Sequence, residues 1–144
     1  MSRFDVPVST SGPSAPRRPL GLVVVAVIEL LEAAGILLYA VGVVLGGPGR
    51  YPLTTYGVAG TFVLAAALLA LVGVGTLRGR PWSRTSGIVW QVVQAIVGLS
   101  VLQGQGGQPV LAAVIAVPAV VALVLLLTPS VREATARSSG ASRP

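Results

Sequence analysis

Four long apolar stretches alternate with short polar segments along the chain. They cover about Leu20–Gly46, Tyr56–Leu77, Thr85–Gln103 and Pro109–Thr128. Each is close to the roughly 20 residues that a helix needs to cross the ~30 Å hydrocarbon core of a bilayer. The third stretch is the least apolar, because it contains several glutamine and serine side chains. The pattern predicts an all-α integral membrane protein in which residues 19–129 form an antiparallel four-helix transmembrane bundle.

Both ends of the chain are polar and lack apolar periodicity. Residues 1–18 are rich in Ser, Pro and Arg, and residues 130–144 are again small and polar. Such segments bury too little apolar surface to fold alone, so we expect two disordered cytoplasmic tails. The first apolar stretch follows Arg17 and Arg18, as in a signal peptide, but it is too long, contains two acidic residues and lacks a convincing cleavage site. We therefore expect it to be retained as the first helix.

The composition excludes several functional classes. The chain is 53% hydrophobic and 10% charged, whereas soluble domains contain about 25% charged residues. It has no Cys, His or Lys, which excludes disulfides, thiolate or imidazole metal sites, histidine-based triads and Schiff-base chemistry. We therefore expect no catalytic residues, no metal and no cofactor, and a protein that is not an enzyme.

The ten basic residues, all arginines, fall in groups between the apolar stretches. Three precede the first stretch, three lie between the second and the third, and three follow the fourth, while Arg50 stands alone. Because cytoplasmic loops carry an excess of basic residues, both termini are predicted to be cytoplasmic. A protein that binds nucleic acid would instead gather its arginines on one face, so no nucleic-acid partner is expected. The lack of Lys beside abundant Ala, Gly, Val and Pro is typical of a high-GC bacterium, which indicates a multi-pass protein of a bacterial plasma membrane.

The predicted inner loop is a candidate contact for anionic lipid headgroups. It contains Arg78, Arg80 and Arg84, and juxtamembrane arginines attract anionic lipids. The positive-inside pattern alone also explains these three residues, so both interpretations stay open.

Each apolar stretch also contains small or polar residues at spacings of three and four. Membrane helices associate through such residues, because lipid tails do not distinguish one apolar side chain from another. The predicted inward faces are Glu29, Glu32, Gly35, Tyr39, Gly42 and Gly46 in the first stretch; Ala59, Ala66, Ala70 and Gly73 in the second; Gly87, Gln91, Gln94 and Gly98 in the third; and Ala112, Ala116, Ala119 and Ala122 in the fourth.

Glu29 and Glu32 are the only acidic residues in the predicted spans. They are three residues apart, so they share a helix face, and they lie ~13 and ~18 Å from the start of the first stretch. An ionisable group near the bilayer centre costs about 2.5–3.5 kcal/mol on insertion scales, and two close carboxyl groups there should not both ionise.

Two glutamines in the third stretch complete the candidate polar site. Gln91 and Gln94 lie ~9 and ~14 Å from Thr85, so Gln94 is at the same level as Glu29 and could hydrogen-bond to it across the bundle. In a functional interpretation, Glu29 or Glu32 binds a proton or cation and the glutamines line the site. In a structural interpretation, protonated Glu–Gln hydrogen bonds set the helix register.

The residues of the third stretch and the loop before it resemble a family of small actinobacterial integral membrane proteins. The matching residues are the loop RGRPWSR over 78–84, Gln91 and Gln94, the segment LQG over 102–104, and an acidic residue in the first helix, here Glu29 or Glu32. The family usually has a second basic residue where this chain has Pro81. The resemblance implies four helices and a bacterial plasma membrane, and it supplies no catalytic residue.

Small multidrug-resistance transporters offer a second comparison. They also have four helices and an essential Glu in the first, a role that Glu29 or Glu32 would take here. The chain departs from them in its longer N-terminal tail, in its glutamine-bearing third helix and in lacking the Trp and Tyr residues of their cation pocket.

Two functional hypotheses follow from these patterns. The first is a non-enzymatic structural or partner-binding membrane component, which contacts the lipid bilayer and associates with itself or with another membrane protein. The alternative is a small proton-coupled transporter that uses an intramembrane Glu of the first helix.

Overall fold

Four long α-helices form the part of the chain that the computed structural model describes, which comprises residues 19–47, 49–104 and 108–133. They are α1 (Leu20–Leu45), α2 (Pro52–Leu77), α3 (Pro81–Gln103) and α4 (Pro109–Leu127). The all-α prediction is confirmed, and each of the four helices is long and apolar enough to cross a membrane. The expected tail over residues 1–18 lies outside the described residues.

Proline marks the start of every helix. Pro19 directly precedes α1, and Pro52, Pro81 and Pro109 are the first residues of the other three. Proline suits this position, because the first N–H groups of a helix have no intrahelical partner and its fixed φ is already helical. Helices α2 and α3 therefore begin four residues before the apolar stretches predicted from hydropathy.

Glycine and proline end the helices. Gly47 and Gly79 have φ values of +85° and +67°, which side chains with a Cβ rarely adopt, and they turn the chain after α1 and α2. Helix α4 ends before Pro129, which has no N–H to continue the ladder, and residues 129–133 then form a separate helical turn. That turn covers the first described residues of the tail expected from residue 130; residues 134–144 lie outside the described part.

The helices pack mainly as two pairs, α1 with α2 and α3 with α4, and contacts of α2 with α3 and α1 with α4 complete a four-helix bundle. Small residues bring the backbones together. A methyl group built on Gly98 of α3 would lie 2.8 Å from the Ala116 Cβ, and one on Gly73 of α2 would lie 3.0 Å from the Leu30 side chain of α1. Such close approach is how helices associate where no hydrophobic effect drives them.

Most of the predicted packing faces are observed. The buried positions include Ala59, Ala66 and Gly73 of α2; Gly87, Gln91 and Gly98 of α3; and Ala112, Ala119 and Ala122 of α4. The end of the bundle near the start of α1 is closed by a cluster of Leu22, Val25, Leu126 and Val131, in which Val131 belongs to the helical turn after α4.

The predicted face of α1 is wrong at its glycines. Gly35, Gly42 and Gly46 are exposed, and a methyl group built on Gly35 or Gly42 would meet no atom within 4 Å. Tyr39 is also exposed, but its ring contacts Phe62 of α2. The packed face instead contains alanines at a spacing of seven, and its buried residues are Leu22, Val25, Ala26, Glu29, Ala33 and Ala40. At about 100° per residue the two faces are on nearly opposite sides of the helix.

Candidate functional site

Glu32 of α1 is bound by two donors from α3. Both the indole Nε1 of Trp90 and the amide Nε2 of Gln91 donate to Glu32 Oε2, each at 3.2 Å. Gln94 also faces this carboxyl group, but Oε1 of Glu32 has no hydrogen-bond partner. The structure therefore brings the predicted glutamines to Glu32, and the two hydrogen bonds tie α1 to α3.

The expected pairing of Gln94 with Glu29 is wrong. Depths along α3 were counted from Thr85, whereas the helix begins at Pro81, which is about 6 Å earlier at 1.5 Å per residue. This shift moves Gln91 to the level of the two carboxyl groups. Gly87, one turn before Gln91, is the residue of α3 whose backbone lies against the Glu29 carboxyl group.

Glu29 is fully buried and has no hydrogen-bond partner on either carboxyl oxygen. Its Oε1 lies against the backbone of α3, where a methyl group built on Gly87 would be 2.5 Å away. The Thr76 hydroxyl group of α2 is also beside the carboxyl group, but the two do not reach hydrogen-bond geometry. The side chain thus occupies a space between α1, α2 and α3 that exists because residue 87 has no side chain.

The site contains more acceptors than donors. Its buried oxygen atoms without a partner are both carboxyl oxygens of Glu29, Oε1 of Glu32, Oγ1 of Thr76 and Oε1 of Gln91. Among these atoms only the Thr76 hydroxyl group can also donate, whereas the other four are acceptors; a carboxylic acid at Glu29 is neutral and supplies a further O–H donor to one of them. The arrangement is suited to holding a proton on Glu29.

Sequence reasoning missed two contributors to this site and left the role of a third unassigned. Trp90 donates to Glu32, and Thr76 approaches Glu29 from α2. Gly87 was predicted on the same inward face as Gln91, and the structure adds that it makes room for the Glu29 carboxyl group. Trp90 and Thr76 had no comparable signal, because a Trp next to a membrane-facing Val and a Thr at a helix end are both common in lipid-facing positions.

The three arginines between the second and third apolar stretches have different surroundings. Arg84 donates from Nε to the Leu126 carbonyl oxygen of α4 at 3.1 Å, whereas Arg78 and Arg80 are exposed between α2 and α3. The Leu125 carbonyl accepts from the Thr128 hydroxyl and N–H. Arg84 thus donates to one of the carbonyl groups that have no intrahelical partner where Pro129 ends α4. A cation is also electrostatically favourable at a helix C-terminus.

No protein-family model, curated protein or solved structure matches this chain. Within residues 19–47, 49–104 and 108–133 there is also no group of three or more His, Cys, Asp or Glu side chains that could hold a metal ion. The chemistry of the site is therefore argued from its own residues.

The two carboxyl groups should differ in their contribution to stability. Glu32→Leu leaves the Trp90 and Gln91 donors without an acceptor and should lower the free energy of unfolding by about 1–3 kcal/mol. Glu29→Leu removes a carboxyl group without hydrogen bonds and should be neutral or stabilising. Denaturant titration in detergent micelles, followed by circular dichroism, measures both variants. Equal losses would contradict this difference.

Proposed function

We propose that the chain is a multi-pass protein of a bacterial plasma membrane, with its helices in an antiparallel four-helix bundle and both termini in the cytoplasm. The observation that carries the proposal is the set of four helices with the length and hydropathy of membrane spans. Their outward side chains are largely Leu, Val and Ile, such as Leu31, Leu64 and Ile96. A surface of this kind is unfavourable in water and suited to lipid.

Residue contacts support the antiparallel arrangement. Leu30 of α1 lies against Gly73 of α2, and further along α1 the Tyr39 ring packs on the Phe62 ring, with centroids 4.9 Å apart. As α1 advances from residue 30 to 39, its contacts on α2 move back from 73 to 62. The two helices therefore run in opposite directions.

The charge of the loops supports the orientation. The turn between α2 and α3 exposes Arg78 and Arg80, whereas Arg50 is the single arginine between α1 and α2. Under the positive-inside rule, the first of these turns faces the cytoplasm.

Single-cysteine variants test this topology, because the chain contains no cysteine. A membrane-impermeant maleimide added to intact cells should label Tyr51→Cys, in the turn between α1 and α2. It should label Arg80→Cys only after the membrane is permeabilised. The reverse pattern would contradict the proposed orientation, and labelling of both variants in intact cells would contradict the membrane-spanning arrangement.

The proposed role is non-enzymatic and works through helix–helix contacts with a second copy or another membrane protein. Its support is the outward face of α1, where Gly35 and Gly42 are exposed with open space around them. Glycines at such a face allow a second helix to approach the backbone closely. The exposed Leu38 lies beside them on the same face.

Cross-linking tests association through this face. Leu38→Cys should form a disulfide-linked dimer in oxidised membranes, because its side chain borders the glycine face of α1. Leu64→Cys is the matched control, since it is similarly exposed on α2. Denaturing electrophoresis without reductant measures the dimer. Equal cross-linking of the two variants would indicate random collision, and no cross-linking of Leu38→Cys would exclude association with a second copy at this face.

A second candidate function is proton-linked transport at Glu29. It is favoured by the full burial of this carboxyl group, because neither of its oxygens has a hydrogen-bond partner and a proton would neutralise it. Glu32, which has two donors, fits a role in helix register instead. A carrier of protons also has to exchange them near the working pH.

Infrared spectroscopy of the protein in lipid tests this candidate. The carboxyl band that is lost in Glu29→Gln should titrate within about two pH units of neutrality and should exchange quickly in deuterated water, since a proton carrier must change state there. Glu32→Gln, the matched control, should leave that band in place. If the Glu29 carboxyl group stays protonated and its proton exchanges slowly, proton transport is excluded and only a packing role remains.

A further inference from the structure

We propose that the open groove between α2 and α3 binds one anionic phospholipid, with its headgroup at Arg78 and Arg80 and an acyl chain along the groove. The proposal goes beyond the function proposed above and requires only that the chain spans a bilayer. Its basis is the way charge and polarity are distributed along the groove.

The groove is an apolar channel of about 500 Å³. One wall contains Leu68, Leu71 and Val72 of α2, and the other contains Trp82, Val89 and Val93 of α3. From Trp82 to Val93 it runs for eleven residues of α3, or ~16 Å at 1.5 Å per residue. This is about half of the ~30 Å hydrocarbon core, so the groove covers the depth of one leaflet.

Helices α2 and α3 come into contact at the end of the groove that carries the charge. Gly75 has no side chain, and a methyl group built there would lie 3.0 Å from Cζ2 of Trp82, so the indole packs directly on α2. The Arg80 N–H donates to the Gly75 carbonyl at 3.0 Å, which holds the turn against the same place. Arg78 and Arg80 closely precede Trp82 in this turn, so they lie at this end of the groove, its mouth, and both are exposed.

Polarity falls along the groove as it does along a phospholipid. The exposed arginines are followed by Thr85 and Ser86, about one turn inside α3, and then by valine and leucine side chains. Trp90 lines the deep end, but its Nε1 donates to Glu32, so the indole presents carbon to the groove. A phosphate, a glycerol ester region and an acyl chain would meet matching surfaces in this order.

The charge at the mouth selects an anionic lipid over a zwitterionic one. Arg84 stays charged, but its Nε donates to the Leu126 carbonyl, which holds its side chain toward α4 and not toward the groove. Each arginine near a membrane surface favours anionic lipid by about 1 kcal/mol, and two together correspond to a preference of roughly thirtyfold. The leaflet is the cytoplasmic one in the topology proposed above.

Tryptophan fluorescence reports on this groove alone, because Trp82 and Trp90 are the only tryptophans of the chain and both line it. The protein is placed in zwitterionic vesicles that contain a small fraction of phosphatidylglycerol brominated on its acyl chains, which quenches nearby indoles. The comparison uses brominated phosphatidylcholine at the same fraction. We expect the anionic lipid to reach half-maximal quenching at a roughly thirtyfold lower fraction, and added salt to reduce this preference.

Two matched variants give the decisive comparison. Arg78→Gln combined with Arg80→Gln should lose the preference, whereas Arg50→Gln, in the other turn, should keep it. Circular dichroism of each variant confirms that it is folded. Equal quenching by the two lipids in the unaltered protein would overturn the proposal, since it indicates ordinary surrounding lipid, as would a preference that survives in the doubly substituted variant. Relief of quenching by inorganic phosphate would exclude the acyl-chain part of the site.

Discussion

In the proposed membrane setting, hydrocarbon offers no hydrogen-bond partner, so the polar groups of these four helices depend on the protein itself for their partners. The backbone meets this requirement by forming uninterrupted helices from Pro52 to Leu77 and from Pro81 to Gln103. Where proline breaks the ladder after α4, Arg84 and Thr128 donate to the open carbonyl groups. The same requirement brings Trp90 and Gln91 to Glu32, whereas Glu29 has no hydrogen-bond partner on either carboxyl oxygen.

The Glu32 contact joins parts of the bundle that backbone packing connects weakly. Helices α1 and α2 form one closely packed pair and α3 and α4 the other, whereas α1 and α3 share little close backbone contact. The hydrogen bonds from Trp90 and Gln91 cross this diagonal and link the two pairs. Glu29, one turn earlier on α1, is enclosed by α1, α2 and α3, and it has no hydrogen bond to any of them. One carboxyl group thus orients the helices, and the other is left available for a proton.

The outer surface divides into regions with different properties. Helix α1 exposes Gly35 and Gly42, where a second backbone can approach, and the groove between α2 and α3 has the depth of one leaflet. Gly75 shapes one end of this groove, because its lack of a side chain allows the Trp82 indole to pack directly on α2. The interior is filled by small side chains such as Ala26 and Ala119, so a role in the membrane depends on these surfaces or on the Glu29 proton.

The sequence by itself determined the number of helices, their approximate extents, and the membership of Glu29, Glu32, Gln91 and Gln94 in one polar site. These follow from local quantities, namely the hydropathy summed over a span and the spacing of polar residues on one helix. Pro52 and Pro81 mark the starts of α2 and α3. A hydropathy criterion begins instead at the first apolar residue, and it placed Gln94 beside Glu29. In the structure, Gly87 lies beside Glu29.

Only the tertiary structure decided the rotation of α1 and the partners of each polar group. Lipid contacts alanine, glycine and leucine with similar free energy, so neither the alanine face nor the glycine face of α1 is selected by its surroundings. The packing of α1 against Gly73 of α2 fixes the rotation of α1, with Ala33 and Ala40 inside the bundle and Gly35 outside it. The pairing of Arg84 with Leu126 arises in the same way, because residues 42 positions apart meet only when α3 and α4 pack together.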